Sequence, residues 1–348
     1  MRPVTIHEVA RNAGVSIGTV SKVLNNQGQL RADTRLRVRA AAELLGFRPN
    51  GLAQSLHRGR TFTVGLISSD RFGRFSIPLL EGIEDALDSA RVAVFLCKPT
   101  DDPAHERRHV ESLLAKRVDG LIVTSRRTDP RPPLDTFGTA VPVIYAYAQT
   151  ASAGAACLLP DDEGGGYLAG QHLIGLGRTR IAHITGPERF AAVRERRAGL
   201  SRALAAAQLP LDPLLTLTGP WSEAWGREAV GRLLEAGLPF DATFCGSDQI
   251  ARGVADSLRE CGLDVPRDVA VVGYDNWEIV AAATRPPLTT IDPCLHELGQ
   301  AAASRLLGMI DGGDGRVHAH DKARIPCRLV VRASCGAEAL LKAADRAA

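Results

Sequence analysis

The chain has 348 residues, room for a small domain and two lobes of ordinary size, and its 45% hydrophobic content with near-zero mean hydropathy describes a globular fold. No apolar run approaches the roughly eighteen residues of a membrane span, and the N-terminus lacks a signal peptide's charged-then-apolar layout, so a cytoplasmic protein is expected. Residues 1–60 hold ten Lys and Arg against three acids, a charge of +7 within a whole-chain +3, which leaves −4 on the remainder. A basic head on a mildly acidic body is the electrostatic layout of a DNA binder with a separate sensing domain.

The first elements form a helical pair. Thr5 is a good N-cap and Glu8 can reach back to complete a capping box, with Ile6, Val9 and Ala10 on one face. Gly14 suits the tight turn that follows, because it tolerates the left-handed conformation. Ser16 caps a second helix whose Val20, Val23 and Leu24 face inward, while Ile17, Gly18, Ser21 and Lys22 face out. Two short helices joined this tightly are a DNA-reading device whose second member enters the major groove. A third helix runs from about residue 32 to 45 with apolar Leu36, Val38, Ala41, Leu44 and Leu45, and Gly46 closes it. Pro49 and Asn50 then open a helix carrying Leu52, Ala53 and Leu56, too short to be stable alone in water. Its place before a large domain suggests a hinge that orders on docking.

From residue 62, β-rich apolar runs alternate with amphipathic helices. The runs at 63–68, 92–97, 120–125 and 141–147 form one series, with helices through Leu79, Ile83, Ala86 and Leu87 and through Val110, Leu113 and Leu114. A second series begins near residue 156, with runs at 156–159, 180–186, 214–219, 242–247 and 269–275. Such alternation means βαβ units, hence two doubly wound parallel sheets in two lobes. Ligands of such sheets sit beyond the carboxyl ends of the strands, here between the lobes. Asp275, Asp248, Ser247 and Arg196 stand at those ends. Carboxylates accept from sugar hydroxyls and an arginine fork donates to them, while Trp221 and Trp277 offer flat faces for stacking.

The motifs V-S-x-x-T-V-S-x-V-L-N (15–25), R-P-N-x-x-A-x-S-L (48–56), G-Y-D (273–275) and P-P-L-T-T (286–290) together resemble the lactose-repressor (LacI/GalR) family of bacterial transcription regulators, over nearly the whole chain. The resemblance implies an all-α helix-turn-helix headpiece at 1–48, a hinge at 49–60 and a periplasmic-binding-protein-like α/β core at 61–348. It also implies three crossovers, near residues 160, 290 and 320. Lobe 1 would span about 61–160 and 292–320, including the helix from Cys294 to Ile310. Lobe 2 would span about 161–290 and 321–335, with the run at 325–332 completing it. Thr5, Ser16, Thr19, Ser21, Asn25 and Asn50 could bond phosphates, and Ile17, Gly18 and Lys22 stand where family members read bases. Ala53 and Leu56 belong to the hinge helix, Leu56 as the wedge that enters the minor groove with its dimer mate.

In the family, positions matching Arg196 and Asp275 contact the effector, as often do those matching Ser247 and Trp221. Two departures mark this chain. Ser247 replaces a frequent Asn, and Gly73-Arg74-Phe75-Ser76 replaces a frequent N-P-F-F segment, so the first-lobe wall offers Phe75 and a charge from Arg74 or Arg71. The implied function is a ligand-responsive repressor of a sugar-catabolism or uptake operon. It binds double-stranded operator DNA as a homodimer and is released by a small, sugar-like effector, without a membrane partner. A corepressor-dependent repressor, or an activator with a non-sugar effector, is the alternative. Residues 337–348 carry no terminal leucine heptad, so a dimer is expected in preference to a tetramer.

Other chemistries are poorly supported. Seven cysteines form no C-x-x-C pair and read as reduced thiols, and His318, His320 and Asp321 read as a polar loop, so neither metal nor cofactor is expected. The acidic run Asp161, Asp162 and Glu163 lacks the base or nucleophile of a hydrolase, and no nucleophile elbow, P-loop or zinc motif appears in context. A two-lobed solute receptor would need an export signal and would have no use for a DNA-reading head.

Overall fold

The computed structural model describes residues 4–24, 27–47, 60–70, 73–99, 102–152, 154–312 and 322–337. The chain divides into two compact units, residues 1–62 and 63–348. In the first unit, α1 (Ile6–Ala13) opens on the expected capping box: Thr5 N donates to Glu8 Oε2 at 2.7 Å, and Glu8 N donates to Thr5 Oγ1 at 3.4 Å. Gly14, at φ 62°, makes the turn, and Ser16 Oγ accepts from Thr19 N at 3.1 Å at the start of α2 (Ile17–Leu24). Val9, Val20, Val23, Val38, Ala41 and Ala42 form the core under α3 (Ala32–Leu44). Leu36 and Leu44 are exposed instead, because at 100° per residue positions 36, 40 and 44 fall on the face opposite 38, 41, 42 and 45. The expected hinge helix lies outside the described residues.

The second unit holds two six-stranded sheets. The first uses β1 (Thr63–Ser68), β2 (Ala93–Cys97) and β3 (Gly120–Thr124), then β5 (Val143–Ala146), β7 (Ala156–Pro160) and β13 (Lys322–Ile325); between these lie the two-residue strands β4 (Pro130–Arg131) and β6 (Gln149–Thr150), which pair with each other. Its order is β13-β7-β5-β3-β1-β2, all parallel. The second has β8 (Ile181–Thr185), β9 (Thr216–Thr218), β10 (Ala242–Cys245), β11 (Ala270–Tyr274), β12 (Thr289–Asp292) and β14 (Arg328–Val330), in the order β14-β12-β11-β10-β8-β9. Only β14 runs antiparallel in it.

Two boundaries differ from expectation, whereas residues 156–160 fall in the first sheet, inside the implied lobe-1 span and not at the head of the second series: Ile144 pairs with Ala156 and Ala146 with Leu158. Residues 322–325 also join it, against β7, so the third crossover falls at Pro326–Cys327 and the apolar run at 325–332 is split between sheets. Pro326 has no N–H to give either ladder, which suits it to the break. Asp292, expected in lobe 1, ends a strand of lobe 2.

α4 (Ser76–Asp88) and α5 (Pro103–Ala115) lie on opposite faces of the first sheet, and over the second α6 (Asp162–Gly175) packs against α7 (Ala191–Ala206) and α8 (Glu223–Glu235) against α9 (Asp248–Glu260). After the short α10 (Glu278–Ala281), α11 (Leu295–Ile310) returns to lobe 1 as expected and packs on α4, with Leu298, Ala302 and Leu306 in the core of Val64, Leu66 and Ile122. Each pair meets through reciprocal glycines. A Cβ at Gly82 would stand 1.9 Å from the His296 carbonyl oxygen, one at Gly199 1.9 Å from that of Glu163, and one at Gly253 2.0 Å from that of Glu223. Gly299, Gly166 and Gly226 answer from the facing helices at 2.2, 2.1 and 2.3 Å from backbone oxygens. Backbone meets backbone at all three crossings, which draws the helices close over the sheets. No helix among the described residues is long and apolar enough to cross a membrane.

Candidate functional site

The carboxyl ends of the strands converge on a cleft between the two lobes. From lobe 1, β1 leads to Asp70, Arg74 and Phe75, β3 to Arg127 and Asp129, and β5 to Tyr147. From lobe 2, β8 leads to Phe190 and Arg196, β9 to Trp221, β10 to Ser247 and Gln249, and β11 to Asp275 and Trp277. Together they enclose a cavity of about 370 Å³, near the lower end of the range for small-molecule sites.

Aromatic rings give the cavity its flat walls. Phe75 stacks on Tyr147 with centroids 4.8 Å apart, and Phe190 faces Trp221 at 6.4 Å and 26°. Burial pushes the Tyr147 hydroxyl well above its ordinary pKa, so it stays protonated as a donor in spite of the neighbouring Arg196 and Arg74 charges. Asp129 Oδ1 accepts from Ala191 N at 2.8 Å, tying a lobe-1 loop to the start of α7 in lobe 2.

Arg196 is buried, and its guanidinium is heavily engaged. Nε donates to Asp162 Oδ1 at 2.8 Å, Nη1 donates to the Gly246 carbonyl at 2.7 Å, and the group lies 3.5 Å from the Tyr274 ring centroid. The acidic run is thereby accounted for. Asp161 caps α6 through Gly164 N, Asp162 neutralises Arg196 inside the lobe, and Glu163 pairs with Arg202.

Asp275 sits at φ 106°, a conformation that costs a non-glycine residue on the order of 1–3 kcal/mol. Its surroundings hold it there. Asp275 N donates to the Ile291 carbonyl at 2.8 Å, Trp277 N donates to Asp248 Oδ2 at 2.7 Å, and Arg332 Nη2 donates to Asn276 Oδ1 at 2.9 Å. The expectation for Asp248 is therefore corrected. It is fully buried, accepts from Thr290 Oγ1 at 2.6 Å as well as from Trp277 N, and does not line the cavity. Following Ser247 in sequence puts it in the first turn of α9, where it aims at the neighbouring loop instead of the cleft. Burial raises its pKa to about 6. Ser247 does line the cavity, but its Oγ also caps α9 through Ile250 N at 3.3 Å.

Of the expected ligand-contacting set, Phe75, Arg196, Trp221, Ser247 and Asp275 are brought together, and Trp277 joins them. Arg71 lies outside the described residues. Sequence reading missed Asp70, Arg127, Asp129, Tyr147, Phe190 and Gln249. Asp70 and Tyr147 carry the same signal as Asp275, a polar group at the carboxyl end of a strand-like apolar run.

In the headpiece, Ile17, Gly18 and Lys22 are exposed on α2, and Thr19 and Ser21 are partly so. The hydroxyls of Ser16 and Thr19 lie 2.9 Å apart, and Thr5 Oγ1 donates to Glu8 Oε2 at 2.8 Å. Asn25, Asn50, Ala53 and Leu56 lie outside the described residues, as do His318, His320 and Asp321. Five cysteines are buried, Cys97 is partly so and Cys261 is exposed, all as free thiols. No group of three metal-ligating side chains occurs among the described residues.

Residues 5–50 match the model of the lacI family of bacterial regulatory proteins, and residues 171–335 match that of a periplasmic binding protein-like domain. The HTH-type transcriptional repressor PurR of Haemophilus influenzae (strain PittEE) is 33% identical over 95% of this chain and 98% of its own. The ribose operon repressor of Escherichia coli (strain K12) is 35% identical over 88% and 93%. Among solved structures, the Lac repressor dimer bound to operator and the anti-inducer ONPF aligns at TM-score 0.76 and 30% identity over 96% of this chain and 99% of that one. The complex of the transcriptional regulator CelR with cellobiose aligns at 0.67 and 33% identity, over 96% and 100%.

Proposed function

The chain belongs to the LacI family of bacterial regulatory proteins, and on that footing we propose that it is a ligand-responsive transcriptional repressor acting in the cytoplasm. It binds a pseudo-palindromic operator as a dimer, because one headpiece makes too few contacts for strong specific binding and twofold symmetry pairs two half-sites. Lys22 reaches base edges or phosphates, while Ile17 and Gly18 can make only apolar contact, for instance with a thymine methyl. A small sugar-like effector in the cleft releases the operator, so the regulated genes serve sugar uptake or breakdown.

The observation that carries this reading is the composition of the cleft. Paired rings offer stacking faces, and Asp275, Gln249 and Arg196 offer the acceptors and donors that neighbouring hydroxyls require. The same flat ring faces would also stack a flat heterocycle, which keeps a nucleobase-like effector as the second reading. Selection from a random duplex library with the full-length protein should return two half-sites related by a twofold axis. Fluorescence anisotropy on the selected duplex should then show weaker binding with one of the sugars in a panel of D-ribose, cellobiose and nucleobases. Tighter binding with a nucleobase would select the second reading, and failure to enrich any sequence would overturn the repressor assignment.

A further inference from the structure

Arg74 belongs to lobe 1, just before α4, yet its side chain is held by lobe 2. One terminal nitrogen, Nη2, pairs with Asp275 Oδ2, and Nη1 donates to Gln249 Oε1 at 3.0 Å. The guanidinium lies 5.0 Å from the ring centroid of Trp277 and 5.0 Å from that of Phe75. Three residues from two elements of the opposite lobe thus converge on one side chain, of which only 12% is exposed against 4% for Asp275. Burial lowers the Arg74 pKa, with Asp248 pulling it back up, but an arginine remains charged at any physiological pH. Its Nε–H is buried without an acceptor among the described residues, and Asp275 and Gln249 take up only two of the guanidinium's five N–H groups.

We propose that Arg74 is a cross-cleft strap: it occupies the acceptors Asp275 and Gln249 in the ligand-free protein and restrains lobe opening, and an effector reaches Asp275 only by exchanging partners with it. Adjacent hydroxyls suit that exchange, because a hydroxyl can donate to Asp275 while its neighbour accepts from the released guanidinium. The strap then links ligand chemistry to lobe motion through one residue at the departure from the family's N-P-F-F segment. The exchange half of the proposal rests on the cleft being the effector site, whereas the restraint half does not.

The restraint is tested with no effector present. Hydrogen–deuterium exchange of the full-length protein should be slow in the loops at 246–249 and 275–277. Arg74→Met and Asp275→Asn should each speed exchange there severalfold, and the double variant should be no faster than either, because both remove the same contact. Methylguanidinium added to Arg74→Ala should restore slow exchange by filling the place of the lost group at Asp275. Unchanged thermal midpoints and unchanged exchange in α8 separate strap release from unfolding, and Arg74→Lys, which keeps the charge and loses the fork, should fall between the extremes. Additive effects of the two single variants, or exchange in Arg74→Met equal to the parent's, would overturn the strap. Neither outcome depends on whether any sugar binds.

Discussion

His183 and Asp248 are both fully buried in lobe 2, and burial moves them in opposite senses of proton affinity. His183 stacks on Phe244 at 5.0 Å with Nδ1 3.0 Å from the Phe244 carbonyl oxygen, and burial lowers its pKa to about 4. Against about 6.5 unfolded, the unfolded chain binds the extra proton, so this stabilisation is full above pH ~6.5 and is lost on acidification toward pH ~4. Asp248 is raised to about 6, also by burial. Against about 3.9 unfolded, the folded chain binds the extra proton, so stability falls as pH rises from ~3.9 to ~6. Each effect is about 3 kcal/mol, and over the shared window they nearly offset. Asp248→Asn removes one of them. Relative to its parent, the variant should lose about 3 kcal/mol between pH 7 and pH 4, read from urea midpoints at the two pH values. Parallel loss in both proteins would mean that Asp248 is ionised in the folded state at pH 4. At this scale Asp275 and Ser247 were legible in the sequence because each ends a strand-like apolar run. The sequence concealed the contacts of Arg74 and Gln249, which depend on how two lobes face each other, and it misled on Asp248, whose neighbour in sequence points into the cleft while its own carboxylate points away.

Among the elements, the alternation of apolar runs and amphipathic helices was legible from β1 to β12, since buried parallel strands announce themselves as continuous apolar runs. Membership of a sheet was not. Strand β7 carries the same local signal as its neighbours and β13, Lys-Ala-Arg-Ile, carries almost none; only the pairing of β13 with β7 and of β7 with β5 assigns them to lobe 1. The glycines of the helix crossings were equally silent, because a helical glycine reads as a weakness in the helix until its partner backbone is in place. Gly199→Ala should destabilise the core by about 2 kcal/mol or more, at the upper part of the range for overpacking. Its Cβ meets a carbonyl oxygen of α6, so helices must part, and the displaced segment carries Arg196 one turn earlier. Gly231→Ala is the contrast. Nothing lies within 4 Å of its Cβ, and φ there is not left-handed, so alanine should stabilise α8 by about 0.4–1 kcal/mol. Thermal midpoints moving in opposite directions would bear this out, and a neutral Gly199→Ala would show that α6 and α7 do not meet as closely as described.

At the scale of the molecule, a basic head and a two-lobed body were legible from charge and periodicity, and the motif set named the family. What the effector does to DNA binding follows from thermodynamics. A ligand changes operator affinity only through its different affinities for two lobe arrangements. Arg196 is a poor place to test this, since it neutralises the fully buried Asp162, and stripping one partner from a buried pair costs about 3–5 kcal/mol. Asp275 is the better place, because its carboxylate lines the cleft, and asparagine keeps its shape and tolerates the left-handed backbone. Asp275→Asn should still bind the selected operator, because the headpiece that reads it is unaltered, while the anisotropy shift caused by the effector disappears. Induction is the expected sign for the parent, with the ligand shifting the lobes away from the arrangement that favours operator binding. A variant that still responds at the parent's half-maximal ligand concentration would place the effector somewhere other than this cleft.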